Sequence, residues 1–175
     1  NIEAASFVSP KWIPQMSGSA EVMSQIERRP GTIYSALTPN LKGYEDAITS
    51  KADEVVIFSA ASESFAQKNI NCNIAESIKR FEPVAQAALR DGIRLRGSIS
   101  CSFGCPYEGT VSPQQVAETV KRMLDLGCHE IDIADTIGVG TPGQVIAVFE
   151  EILNSAPKDI FSGHFHDTYG QSLAN

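Results

Sequence analysis

No run of apolar residues approaches the roughly 20 needed to cross a bilayer as a helix, so the sequence offers no membrane-spanning helix. Basic charge is also in short supply. Lys and Arg number 14 against 21 Asp and Glu, a formal net charge of −7, and that balance argues against a nucleic-acid-binding surface. The four cysteines, Cys72, Cys101, Cys105 and Cys128, contain no Cys-x-x-Cys pair. Cys101 and Cys105 stand four apart, which is not a zinc-ribbon spacing. A chain this large and rich in core residues does not need disulfides. The four are therefore expected as reduced thiols of an intracellular protein, Cys72 and Cys128 buried and structural.

What is present reads as an ordinary globular chain. Its 175 residues suggest one domain, and 42% hydrophobic with 20% charged residues is a normal balance for one. Strand-like and helix-like segments alternate every roughly 20 to 40 residues, the rhythm of βα units on a parallel sheet. Strands are expected over 1–6, 32–37, 54–59, 94–101, 129–134 and 160–166. Helices are expected over 17–29, 41–50, 74–91, 113–126 and 141–154, with 60–73 a polar loop or short helix. Ser112-Pro113 and Thr141-Pro142 are N-caps with Pro at the first helical position. The order is that of a (β/α)8 TIM barrel with about six βα units present, where about 250 residues and eight strands are usual. A doubly wound open sheet is the other architecture. Asn1 to Ala5 read as strand interior, and Ser172 to Asn175 as the first turns of a helix. Both ends read as cut, which predicts a fragment without its targeting end.

Barrel enzymes carry their chemistry at the C-terminal ends of the strands. Those ends supply Ser6, Thr38 with Asn40, Ser59, Ser100 with Cys101, Asp135 with Thr136, and His164 with His166. Residues two apart on a strand share a face, so His164 and His166 lie side by side, with Asp167 adjacent. Such a pair can begin a divalent-metal site or be two structural histidines. Glu3, in mid-strand, either points into the barrel mouth or lies on a frayed strand. On the parity that turns the two histidines inward, the inner face also carries Glu3, Arg96, Ser98, Ser100 and Asp132. An Arg96 ion pair with Glu or Asp is expected inside the barrel. Ile137-Gly138-Val139-Gly140 lets backbone approach a ligand closely or is a plain turn before the capped helix.

Several segments carry a resemblance. They are Glu3-Ala4-Ala5-Ser6-Phe7-Val8-Ser9-Pro10-Lys11-Trp12, Leu37-Thr38-Pro39-Asn40-Leu41-Lys42-Gly43 and Lys68-Asn69-Ile70-Asn71-Cys72. With them come Gly104-Cys105-Pro106-Tyr107-Glu108-Gly109, Asp135-Thr136-Ile137-Gly138-Val139-Gly140-Thr141-Pro142 and His164-Phe165-His166-Asp167-Thr168-Tyr169-Gly170-Gln171. Across essentially its whole length the chain resembles the 3-hydroxy-3-methylglutaryl-CoA lyases, within the metal-dependent Claisen-type lyases and synthases built on TIM barrels. The His-x-His-Asp motif belongs to the larger group. The Thr-Tyr-Gly-Gln, Gly-Cys-Pro-Tyr-Glu-Gly and Lys-Asn-Ile-Asn-Cys segments are specific to the lyases.

The resemblance implies that His164 and His166 bind Mg²⁺ or Mn²⁺ and that an acyl-CoA ester is cleaved by a retro-Claisen step. His164 would handle the hydroxyl proton, Asp135 would be a proton-handling or supporting group, and Glu3 would position a water or an activating Arg. Asn69, Ser6 and Thr136 would bind the acyl chain, and Lys42 the CoA phosphates. The plainer alternatives are that Asp135 caps its turn, Asn69 satisfies its own loop, and Lys42 is a solvated charge. The family's Arg-Asp-Gly motif after the first strand, Asn after the eighth and catalytic Cys in a Gly-rich loop there have no counterpart in these 175 residues: Arg90-Asp91-Gly92 ends the expected 74–91 helix, and Cys101 and Cys105 occupy other positions. The stretch by itself is thus expected to be inactive. The resemblance also implies a homo-oligomer, a dimer, in the cytoplasm or mitochondrial matrix, with no nucleic-acid or membrane partner. Two rivals remain: a related synthase or 2-oxo-acid aldolase on the same barrel, and a non-catalytic fragment.

Overall fold

The structure, a computed structural model, describes residues 1–175. Six strands form one sheet in chain order, β1 to β6. They are β1 (Ile2–Ser6), β2 (Tyr34–Leu37), β3 (Glu54–Ala60), β4 (Arg94–Ser100), β5 (Glu130–Asp135) and β6 (Phe161–Phe165). Helices α1 (Ser19–Gln25), α2 (Leu41–Thr49), α3 (Glu63–Ile70), α4 (Ile74–Asp91), α5 (Pro113–Asp125) and α6 (Pro142–Ile152) fill the connections. Pairing is parallel where β1 meets β2, β2 meets β3 and β5 meets β6. Parallel neighbours in chain order, each joined to the next through helix, are the repeat of a (β/α)8 barrel. No helix is long and apolar enough to cross a membrane.

The chain divides into two compact units, Asn1–Ile57 with Arg80–Arg96, and Phe58–Lys79 with Gly97–Asn175. In the first, Val55, Val56 and Ile57 of β3 are fully buried with Ala36, Tyr44, Ala47, Phe81 and Val84. Such a continuous apolar strand is expected where both faces of a parallel sheet are covered. In the second, Ile99, Ile131 and Ile133 are buried with Val116, Val120 and Met123 of α5 and Val148 and Ile152 of α6. Each side chain of this size stabilises by about 1.5–3 kcal/mol when fully buried.

Helix starts follow the sequence signals closely. Ser112 and Thr141 each accept the backbone N–H three residues on, and Gln115 and Gln144 return the bond, so both expected caps are complete capping boxes. Most boundaries fall within two residues of the expected ones, and three stretches stand out. Helix α1 ends at Gln25 rather than 29, since Ile26 is already extended and Pro30 disfavours helix just before it. The stretch 60–73 resolves into α3, capped by Ser62 and closed by Asn71 in the left-handed region at φ 52°. Residues 171–174 form turns, not helix.

Candidate active site

In the first unit, β1 and β4 bring together the expected ion pair. Arg96 Nη2 lies 2.7 Å from Glu3 Oε2, and Arg96 Nε lies 3.1 Å from Glu54 Oε1. Arg94 Nε reaches the other Glu54 oxygen at 3.3 Å, and Ser35 Oγ accepts from Arg96 at 3.3 Å. Glu54 is wholly buried while the Glu3 side chain is 40% exposed. A buried carboxylate is tolerable only when cations and hydrogen bonds surround it, and two guanidinium groups do so here. Glu3 is thereby held at a fixed angle with one side open to solvent.

Ser6, in the same unit, has its backbone N–H and carbonyl bound by Ser19 Oγ at 3.2 and 2.8 Å. It lines an open cleft of about 260 Å³ with Phe7, Val8, Met16, Ser19 and Thr49. Lys42 is an exposed residue of α2 paired with Asp46 one turn on, at 2.6 Å, and that hydrogen bond raises its pKa.

In the second unit, alternate residues of β5 and β6 sort cleanly. Phe161 packs edge-on against Phe149 and Phe165 stacks on Phe103. On the opposite face Ser162 donates to Glu130 at 2.8 Å, and His164 Nδ1 lies 3.3 Å from Asp132 Oδ2. Ser98 Oγ donates to the same Asp132 oxygen at 3.0 Å. The His164 and His166 rings sit with centroids 5.2 Å apart, the adjacency expected of an i, i+2 pair. Strand parity places Asp132 on the inner face, but its contact with His164 depends on the strand register, which no local pattern states.

Asp167 turns away from a metal-ligand role. Its Oδ1 accepts the Ser172 N–H at 3.0 Å and the Ser172 hydroxyl at 2.8 Å. The backbone N–H and then the hydroxyl hold its carboxyl below the usual range. Asp135 is buried, and its two oxygens accept the Val139 and Gly140 N–H groups at 3.1 and 2.9 Å. The Gly-rich segment is thus a cradle wrapped on this carboxylate. A Cβ at Gly140 would come within 2.9 Å of Asp135 Oδ2, and one at Gly138, where φ is +66°, would crowd the His166 carbonyl. Here glycine is required by close approach.

Thr136 Oγ1 accepts the Cys101 N–H at 2.7 Å. That bond holds Cys101 at φ 59°, a left-handed conformation costing a non-glycine residue about 1–2 kcal/mol. Asn69 is exposed on α3. The Gly-Cys-Pro-Tyr-Glu-Gly loop closes on the start of that helix. Glu108 Oε1 accepts from Ser62 Oγ at 2.6 Å and Ser64 N–H at 2.8 Å, and Ser62 Oγ lies 3.0 Å from Cys105 Sγ. The Ser62 and Ser64 bonds hold Glu108 below the usual carboxyl range. Burial pushes the Cys105 thiol up, but Ser62 and the Tyr107 and Glu108 N–H groups outweigh it and leave it below the ordinary value. Burial pushes Cys101 up to about 12. All four cysteines are free and buried.

Two imidazoles at one strand end, with a buried carboxylate behind one of them, fit a divalent cation. Imidazole nitrogen is a common ligand of divalent cations, and the two rings are neighbours at 5.2 Å between centroids. The fold is that of a βα-barrel, with a histidine pair at the end of its last strand.

The chain belongs to the HMGL-like family, whose model matches residues 1–175. A Pseudomonas aeruginosa protein described as 3-hydroxy-3-isohexenylglutaryl-CoA/hydroxy-methylglutaryl-CoA lyase is 54% identical over 174 residues, 99% of this chain and 58% of that protein. The crystal structure of an HMG-CoA lyase from Brucella melitensis matches with a TM-score of 0.96 at 52% identity, over 99% of this chain and 61% of that one. An Acinetobacter baumannii HMG-CoA lyase solved with coenzyme A and 3-methylmalate matches with a TM-score of 0.93 at 36% identity, over 99% of this chain and 57% of that one. The chain therefore spans a little over half the length of the relatives it matches, and its fold is a partial (β/α)8 barrel.

Proposed function

We propose that the protein is a divalent-metal-dependent carbon–carbon lyase that cleaves 3-hydroxy-3-methylglutaryl-CoA to acetyl-CoA and acetoacetate. The observation that carries this reading is the His164–His166 pair, set side by side at the end of β6 in a chain of the HMGL-like family. High identity to lyases that act on this substrate, and a relative solved with coenzyme A, support the choice of an acyl-CoA ester.

In the reaction the C3 hydroxyl loses its proton, its oxygen becomes the acetoacetate ketone, and the C2–C3 electron pair passes to the thioester α-carbon. That carbon then takes a proton to give acetyl-CoA. His164 and His166 would hold Mg²⁺ or Mn²⁺, which when bound acidifies the hydroxyl and orients it with the substrate carboxylate. With His164 holding the cation, a carboxylate beside it would accept the hydroxyl proton. Asp135 fixes the 136–140 loop through two backbone N–H groups and so shapes one wall of the site. Glu3, its direction set by Arg96, positions a group in the site. Ser6, Asn69 and Thr136 belong to acyl-chain binding and Lys42 to the CoA phosphates. A dimer in the cytoplasm or mitochondrial matrix completes the proposal.

A coupled assay for acetoacetate on the full-length protein tests it. Cleavage that stops on chelation and returns with Mg²⁺ or Mn²⁺ is expected. Absence of acetoacetate, with condensation or 2-oxo-acid cleavage instead, would assign the barrel to a synthase or aldolase.

A further inference from the structure

We propose that Asp132 is a positioning residue for His164. Its carboxylate holds the ring in the tautomer that carries the proton on Nδ1, leaving the Nε2 lone pair free to bind a cation. The inference rests on the metal-centre reading above and adds to it a residue from β5 that lies outside the His-x-His-Asp motif.

A neutral imidazole has one N–H and one lone pair, and only the nitrogen bearing the lone pair can ligate a cation. Asp132 Oδ2 lies 3.3 Å from His164 Nδ1. An ionised carboxylate only accepts hydrogen bonds, so it favours the proton on Nδ1 and repels a lone pair placed there. The carboxylate itself is fixed. Asp132 is 4% exposed on a buried strand, and Ser98 Oγ donates to the same oxygen at 3.0 Å. The parallel register sets Ala134 against His164 and Asp132 against Ser162, which brings the Asp132 side chain beside the ring from the neighbouring strand. A carboxylate seated behind a ligating histidine orients the ring and raises its basicity, and removing such partners typically weakens metal affinity 10- to 100-fold. His164 is otherwise a half-exposed side chain, free to rotate. Asp132 supplies the restraint that a strand-end histidine lacks.

The test is ¹⁵N–¹³C correlation NMR of the histidine rings in the metal-free, full-length protein at about pH 8, above the ordinary imidazole range of about 6.5. His166 provides the internal comparison. The native protein is expected to show His164 as the Nδ1–H tautomer. Asp132→Asn, near-isosteric, is expected to shift His164 toward Nε2–H and to weaken Mn²⁺ binding, followed by electron paramagnetic resonance, 10- to 100-fold. A native His164 protonated on Nε2 overturns the proposal, and that result needs no variant to fold. So does a folded Asp132→Asn protein that keeps both the native tautomer and the native Mn²⁺ affinity. Because the tautomer is read without metal, it decides the role of Asp132 separately from the metal reading. Failure of the native protein to bind Mn²⁺ would sink that reading instead.

Discussion

At the scale of single residues, Arg96 carries the largest electrostatic burden in its unit. Its bond to Glu3 faces solvent and contributes little, since exposed pairs are typically worth about 0–1 kcal/mol. Its bond to Glu54 is the expensive one to lose, because Glu54 is completely buried. Arg96→Met is expected to destabilise by about 3–5 kcal/mol, the usual cost of stranding a buried charge. Urea unfolding of the variant against the native protein checks this, and a loss under 1 kcal/mol would mean that Arg94 alone satisfies Glu54. The thiols give a second expectation. Native-state alkylation is expected at Cys105 before Cys101, because Ser62 favours the Cys105 thiolate while burial holds Cys101 near 12. Peptide mapping after brief iodoacetamide treatment reads the order, and Ser62→Ala is expected to slow the Cys105 reaction.

At the scale of elements, α3 and the 136–140 loop show where the sequence was readable and where it was not. The Ser-Pro and Thr-Pro caps of α5 and α6 are local signals, and both hold. Helix α3 is short and polar, and part of what fixes its start lies 44 residues away, where Glu108 takes the Ser64 N–H. No window of local sequence contains that bond. The Gly138–Gly140 segment was readable as a turn, but its grip on Asp135 was not, since a cradle is defined by where backbone N–H groups point. Gly140→Ala would drive a methyl against Asp135 Oδ2. The displaced carboxylate loses a hydrogen bond while buried, at a cost of about 1–3 kcal/mol, measurable as a lowered urea midpoint. The Glu108 anchor is also pH-dependent. Its folded pKa is depressed, so its contribution is present above the ordinary glutamate pKa, about 4.3, and is lost as pH falls through the folded value. Protection of the Ser64 amide from hydrogen exchange is expected to hold at pH 6, to survive passage through the ordinary glutamate pKa of about 4.3 and to be lost only at lower pH; protection already lost above that ordinary value would contradict the anchor.

At the scale of the whole chain, the alternation of strands and helices is legible because β-rich segments alternate with helical periods that carry their own caps and stops. The strand-end rule picks out Asp135, Thr136, His164 and His166 from the sequence alone. The Arg96 ion pair follows from strand parity, whereas the contacts of Asp132 with His164, Ser98 with Asp132 and Arg96 with Glu54 depend on register. Asp167 shows the converse, a carboxylate within the His-x-His-Asp motif whose Oδ1 is bound by Ser172.

The central claim is that His164 and His166 together hold one divalent cation. Mn²⁺ titration of the full-length protein, followed by electron paramagnetic resonance, tests it most directly. One bound Mn²⁺ per chain is expected for the native protein, with binding weakened at least tenfold in both His164→Ala and His166→Ala. Native affinity retained in either variant would contradict the account.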